Sequence, residues 1–115
     1  MIGQVAEWVD EGGTSRERPI APLHLHRSED EAWFVLEGRL GFRMGDDEII
    51  AEAGQAVIVR AGTPHSYWNA GNSTARYVIV LEPRTAALIE AIHALAPSEH
   101  DRLPALFEEY DSELL

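Results

Sequence analysis

Residues 20–38 read Ile-Ala-Pro-Leu-His-Leu-His-Arg-Ser-Glu-Asp-Glu-Ala-Trp-Phe-Val-Leu-Glu-Gly. Pro19 and Pro22 disfavour helix, so Ile20–His26 is extended. Successive side chains of an extended chain alternate. His24 and His26 therefore project from one face, with Cβ atoms roughly 6–7 Å apart. That bite suits two imidazoles on one metal ion. Arg27–Asp30 is a polar turn. Glu31–Glu37 is aromatic and β-branched, reads as the next strand, and ends at Gly38. A turn this short can return Glu31 beside the histidine pair.

The same rhythm continues on both sides. Arg39–Met44 pairs with Glu31–Glu37 across Gly38, and Gly45–Asp47 turns the chain again. Glu48–Ala51, Ala56–Arg60, His65–Asn69 and Ala75–Leu81 are further extended segments, separated by Gly54, Gly62 and Gly71. Upstream, Ile2–Val9 reads as a first strand, followed by a polar loop over Asp10–Arg18. Short strands between turn signals predict a sandwich or barrel. After Pro83 the period changes: Leu88, Ile92 and Leu95 form one helical face. Pro97 ends that helix, and Ser98 with Asp101 resembles a capping box. Pro104 fits a first helical turn, and Phe107, Tyr110 and Leu114 form a second stripe. The expected architecture is all-β: a barrel over residues 1–83, then two short helices over 84–115 whose stripes pack on it.

His65 opens a later strand after Gly62-Thr63-Pro64 and could supply a fourth ligand from across a barrel. With no cysteine in the chain, thiolate sites and disulfides are excluded. Imidazole and carboxylate suit zinc, iron, nickel, copper or manganese rather than calcium. A His-x-His pair alone is weak evidence, and Glu31 is one of three adjacent acids with Glu29 and Asp30. The full spacing is more specific. It runs His24-x-His26, four residues, Glu31, six residues, Gly38; then Gly54, seven residues, Gly62, two residues, His65, three residues, Asn69. This resembles the two signature motifs of the cupin superfamily. The glycine that opens the first motif is missing, with Pro19 standing near its place, and Arg60 replaces a proline of the second. Neither departure touches a ligand. The resemblance covers Ile20 to Leu81. It implies a small single-domain cupin, a jelly-roll barrel (double-stranded β-helix), holding one divalent transition-metal ion on His24, His26, Glu31 and His65.

Alternation also selects a pocket. Trp33 and Val35 share the face of Glu31, and Tyr67 shares that of His65. Leu40, Phe42 and Met44 form one face of their strand, and Tyr77, Ile79 and Leu81 one face of theirs. Trp33, Phe42, Met44, Tyr67 and Tyr77 are the expected pocket lining, and such walls suit a small, partly apolar ligand. Three neutral imidazoles and one carboxylate leave about +1 on a divalent ion, which favours an anionic or enolate-like oxygen donor. The resemblance to small cupins makes dioxygenase-type chemistry the leading expectation. The alternatives are a metal-dependent isomerase or cyclase, a non-catalytic module binding metal and ligand, and a structural or storage role. Asn69 is expected to hydrogen-bond a neighbouring turn. His93 and His100 are assigned no chemistry.

Nine Lys+Arg against twenty Asp+Glu give a formal charge of −11, which repels phosphate backbones and anionic lipid heads. Neither nucleic acid nor membrane is an expected partner. The acidic runs Asp46–Glu48 and Glu108–Glu113 read as a solvated turn and a solvated helix face. No apolar run reaches membrane-spanning length. Met1–Asp10 lacks the basic patch and apolar core of a signal peptide, so a cytoplasmic location is expected. Small size and the exposed edge of an apolar Ile2–Val9 strand predict a homodimer.

Overall fold

Alternating apolar and polar residues make eight strands before Pro83, and these pair into two facing antiparallel sheets. The computed structural model describes residues 2–115. The strands are β1 (Gln4–Asp10), β2 (Ala21–His26), β3 (Glu31–Glu37), β4 (Arg39–Met44), β5 (Asp47–Glu52), β6 (Ala56–Val59), β7 (His65–Asn69) and β8 (Ala75–Leu81). One sheet has the order β1-β8-β3-β6. The other has the order β5-β4-β7-β2 and gains a fifth strand, β9 (Ser112–Leu114), beside β2. This is the jelly-roll arrangement expected from the sequence. The pairing of Arg39–Met44 with Glu31–Glu37 expected from the sequence does not form: β3 and β4 lie in different sheets, because the chain crosses between layers at Gly38 instead of folding back as a hairpin. That glycine has φ +76°, and a Cβ there would lie 2.7 Å from the Thr74 carbonyl oxygen.

The inner faces interlock. Trp33, Val35, Val57, Val59, Tyr77, Ile79 and Leu81 from one sheet meet Leu40, Phe42 and Tyr67 from the other, all buried. β7 is buried along its whole length. On its outer side the Trp68 ring lies directly over Gly41 of β4, where any Cβ would collide with the indole. The apolar alternation thus serves its usual purpose, placing one face of each strand in a shared core.

The C-terminal region departs from expectation. α1 (Pro83–His93) forms, and Pro97–Arg102 is a 3-10 helix rather than the start of an α-helix. The expected Ser98–Asp101 box is replaced by Glu99, whose carboxylate accepts from the Ala96 N–H at 3.1 Å. Pro97 occupies the first helical position, so the cap lies one residue before it and the reciprocal acid falls at Glu99. α2 (Leu103–Glu109) stops early. Asp111 adopts φ +59°, the chain reverses, and Ser112–Leu114 pairs with β2. Leu114 therefore belongs to a strand, not to a helical stripe with Phe107 and Tyr110. Spacing of i+7 cannot distinguish a continued helix from one that reverses into a strand. Residues 84–115 consequently contribute an edge strand to the barrel as well as helices. Among the described residues no helix is long and apolar enough to cross a membrane.

Candidate metal centre

β2 presents His24 and His26 inward, two residues apart. β7 places His65 directly opposite His24 in the antiparallel register. β3 begins with Glu31 in the facing sheet. One potential donor atom from each of the four residues lies within 4.8 Å of all the others, and all four side chains are buried. Glu31 Oε1 is 3.1 Å from His26 Nε2 and 3.4 Å from His65 Nε2. The register between β2 and β7 slips between Ala21 and His24, a stretch that holds Pro22, which has no N–H to lose from the ladder.

Hydrogen bonds at the far ring nitrogens assign the tautomers. His24 Nδ1 donates to the Pro22 carbonyl at 2.6 Å, and His65 Nδ1 to the Thr63 carbonyl at 2.9 Å. A carbonyl only accepts, so both rings carry their proton on Nδ1 and offer Nε2 as a lone pair. His26 Nδ1 lies 2.7 Å from Ser112 Oγ, whose hydroxyl donates to the Tyr110 carbonyl at 3.2 Å. Burial, then the neighbouring His65 ring, lowers the His24 pKa to about 4, so this imidazole is neutral at pH 7. Burial pushes the Glu31 carboxyl up, and only a proton on the adjoining His26 or His65 nitrogen, or a cation in its place, pulls it down.

Lone pairs therefore converge without a donor between them. His26 Nε2, His65 Nε2 and Glu31 Oε1 are buried and have no hydrogen-bond partner. Each such orphan costs about 1–3 kcal/mol. A cation at the convergence point would satisfy all of them at once. Three imidazole nitrogens and one carboxylate oxygen are also donors that first-row divalent metals accept, so the residues present fit an ion.

The family model of the cupin domain matches residues 14–81. The chain is a cupin. It is 37% identical over 46 residues to quercetin 2,3-dioxygenase of Bacillus subtilis (strain 168), covering 40% of this chain and 14% of that protein. It is 33% identical over 60 residues to the tetracenomycin polyketide synthase protein TcmJ of Streptomyces glaucescens, covering 52% and 40% respectively. The chain thus spans less than half the length of either relative. A solved structure from Bacillus halodurans superposes with a TM-score of 0.60 at 27% identity, over 70% of this chain and 63% of that one.

In this cupin a cavity of about 200 Å³ adjoins three of the four ligand candidates, His24, His26 and Glu31, while His65 does not line it. Trp33, Tyr67 and Tyr77 line it as the alternation predicts, but Phe42 and Met44 do not. Phe42 lies behind the lining, its ring 5.2 Å from Trp33 and 5.8 Å from Tyr67, and Met44 packs on the core from the periphery. Period 2 reports which face a side chain takes, not how deep it lies or which strand stands beside the site. Burial raises the pKa of both Tyr67 and Tyr77, so the two phenols, 3.1 Å apart, stay protonated.

The rest of the lining was not legible as such. Trp8 of the edge strand β1, together with Leu88, Ile89, Ile92 and His93 of α1 and Phe107 of α2 from outside the barrel, closes the cavity. The Phe107 ring packs edge-on against His24 at 5.6 Å. His93, which sequence reasoning set aside, lines the cavity and packs edge-on against Trp8 at 5.3 Å. The helical stripes were the available signal, but they show that a face is buried and not what it covers. None of Arg39, Arg43 and Arg60 reaches the cavity.

The acidic triplet divides into three tasks. Glu31 turns inward to the histidines. Asp30 accepts from the Ala61 N–H at 2.8 Å. Glu29 caps α1, accepting from the N–H of Arg84 at 3.1 Å and of Thr85 at 2.6 Å. Asn69 braces the following turn as expected, donating to the Ser73 carbonyl at 2.9 Å and accepting from the Gly71 N–H at 3.0 Å.

Proposed function

We propose that this cupin binds one divalent transition-metal ion through His24, His26, Glu31 and His65. At that ion it acts on a small, partly apolar molecule presenting an anionic or enolate-like oxygen, with dioxygenase-type chemistry the leading reaction. The observation that carries the reading is the convergence of orphaned donor atoms beside an apolar cavity. Iron or nickel would supply oxygen activation there, and a redox-inert ion Lewis-acid polarisation. The chain's own residues supply the rest. Trp33, Leu88, Ile89 and Ile92 exclude water, and the Tyr67–Tyr77 phenol pair offers protons to a ligand oxygen. A cavity of ~150 Å³ holds benzene, so about 200 Å³ accommodates one ring and its oxygen substituents. Similarity to a quercetin dioxygenase over 46 residues supports the reaction class, while the cavity argues for a single-ring molecule or the single-ring portion of a larger one.

Metal-free protein loaded anaerobically with Fe(II) or Ni(II) should bind catechol-, enol- or diketone-type compounds, with a change in the metal spectrum. Admission of air should then consume O₂. Binding without O₂ uptake would favour the isomerase, cyclase or ligand-binding alternatives. Equal binding to metal-free protein would leave the metal a structural role and overturn the reading.

The proposal includes a homodimer, with the surface now assigned to a sheet face rather than to the β1 edge. Val5, Val80, Ala32 and Ile58 stand in one cross-strand row through β1, β8, β3 and β6, and Phe34 lies in the next. Val5, Phe34, Ile58 and Val80 are each exposed by 41–70%. Four strands at roughly 4.8 Å spacing bring these side chains into one continuous apolar face, the kind of surface that association covers. Its charges, Glu7, Arg76 and Glu37, pair among themselves at one margin. A chain carrying −11 meets a second copy most readily through such a charge-poor face.

A further inference from the structure

We propose that the C-terminal strand is part of the metal centre, with Ser112 positioning His26 by selecting which of its ring nitrogens is free. The inference rests on the metal-binding reading above. The three histidines are not held alike. His24 and His65 each donate to a carbonyl two residues back, Pro22 in β2 and Thr63 in the turn before β7, so adjacent backbone fixes those rings. His26 depends on a residue 86 positions away in sequence, the Ser112 hydroxyl at 2.7 Å.

A hydroxyl can accept or donate, so its direction has to be set. The Tyr110 carbonyl, 3.2 Å from Ser112 Oγ, takes the hydroxyl proton. The oxygen then faces His26 with lone pairs and holds the ring proton on Nδ1. The competing position is visible on the other side of the ring. His26 Nε2 is 3.1 Å from Glu31 Oε1. If the acceptor at Nδ1 is lost, the single ring proton moves to Nε2 and donates to the carboxylate. That tautomer occupies a ligand nitrogen and a ligand oxygen together. Ser112 thus biases His26 between a form open to metal and a form closed on Glu31.

Its placement is built rather than incidental. Ser112 is fully buried and stands directly opposite His26 in the β2–β9 register. The three-residue strand that carries it is held at both ends. The Arg27 N–H donates to the Asp111 carbonyl, and the Leu115 N–H to the Leu23 carbonyl, each at 2.9 Å. The Asp111 carboxylate accepts from Ser28 Oγ and from Arg84 Nη1. Asp111 is the one non-glycine residue with positive φ among those described, a conformation that surrounding contacts must over-determine. Most of these contacts go to the turn and strand that carry His26, so docking of the strand and metal binding are thermodynamically reciprocal.

The test uses Co(II) as probe, on full-length protein purified without a metal-affinity tag. Ser112→Ala removes the oxygen. Ser112→Thr and Ser112→Val match each other in shape and differ in that oxygen, so a packing cost common to both cancels. Loss of an outer-shell partner typically costs about 10–100-fold in metal affinity. The Co(II) Kd is expected to rise by that factor in Ser112→Ala against wild type, and in Ser112→Val against Ser112→Thr. In metal-free protein labelled with ¹⁵N-histidine, His26 should report the Nδ1–H tautomer in wild type and the Nε2–H tautomer in Ser112→Ala, a change that a merely structural serine would not cause. Equal Co(II) affinity for the Thr and Val variants, with the His26 tautomer unmoved, overturns the proposal. Wild-type protein that binds no Co(II) would sink the metal reading instead, and the metal-free tautomer comparison would still decide what Ser112 does to His26.

Discussion

At the scale of single residues, the candidate centre is a set of groups held in the protonation states a metal requires. That has a cost in the metal-free protein. His24 titrates near 4 in the folded state, against 6.5 in an exposed histidine. Between those values the unfolded chain binds a proton that the folded chain refuses, so stability falls as pH drops from 6.5 to 4 and this loss is complete below 4. The drop amounts to about 3 kcal/mol. Urea midpoints of metal-free protein should therefore decline through this acid window. A flat profile between pH 6.5 and 4 would show that His24 is not buried as a neutral ring. Glu31→Gln keeps the shape and removes the charge. Since loss of an outer-shell partner already costs ~10–100-fold, removal of the one anionic ligand should weaken Co(II) binding by about 100-fold or more, measured by competition with a chelator.

At the scale of elements, the helices wall the cavity because one carboxylate fastens α1 to the turn between the ligands. Glu29 accepts from two main-chain N–H groups and from Thr85 Oγ1 at 2.8 Å, all in the first turn of α1. Acidic groups there also meet the positive end of the helix dipole. Glu29→Ala leaves those donors unpartnered and should destabilise the protein by about 1–2 kcal/mol. Glu29→Gln, which still accepts but carries no charge, should fall between. Both are read from urea unfolding. Leu88, Ile89 and Ile92 ride on the same helix, so the Ala variant should also bind a cavity ligand more weakly at unchanged Co(II) affinity. Loss of metal in that variant would show that α1 braces the ligands themselves.

At the scale of the whole molecule, the ligand set joins the two sheets: His24, His26 and His65 come from one and Glu31 from the other. An ion bound only by the folded state at 100 times its Kd adds ~2.7 kcal/mol, which for a domain of this size raises the melting temperature by roughly 10 °C. His65→Ala should abolish that rise under the same Co(II) concentration. The proposed dimer makes a separate prediction. Light scattering at micromolar concentration should give twice the 12.8 kDa chain mass. Phe34→Glu combined with Ile58→Glu places four carboxylates in a two-fold interface and should give a monomer with an unchanged far-UV spectrum. A monomeric wild-type protein would remove the dimer and leave the metal centre untouched.

The sequence by itself determined the strand pattern, the all-β class and the four residues that converge, because these follow from local rules. Alternation puts His24 and His26 on one face, and glycines and prolines mark where strands stop. Family spacing then singled out Glu31 from Glu29 and Asp30, a choice that composition does not make. Only the tertiary structure decided what each neighbouring acid is for: Glu29 caps a helix 55 residues away and Asp30 ties down the turn at Ala61. It also decided that Phe42 stands behind the cavity while Phe107 faces it, since depth depends on sheet order and helix docking, which no period encodes. Leu114 fits a helical stripe in one dimension and a strand in three, because Asp111 reverses the chain. Ser112 carries no local signal at all. Its place against His26 exists because a three-residue strand pairs with β2 across 86 positions of sequence, and such pairing is set by the whole fold's packing rather than by any window of it.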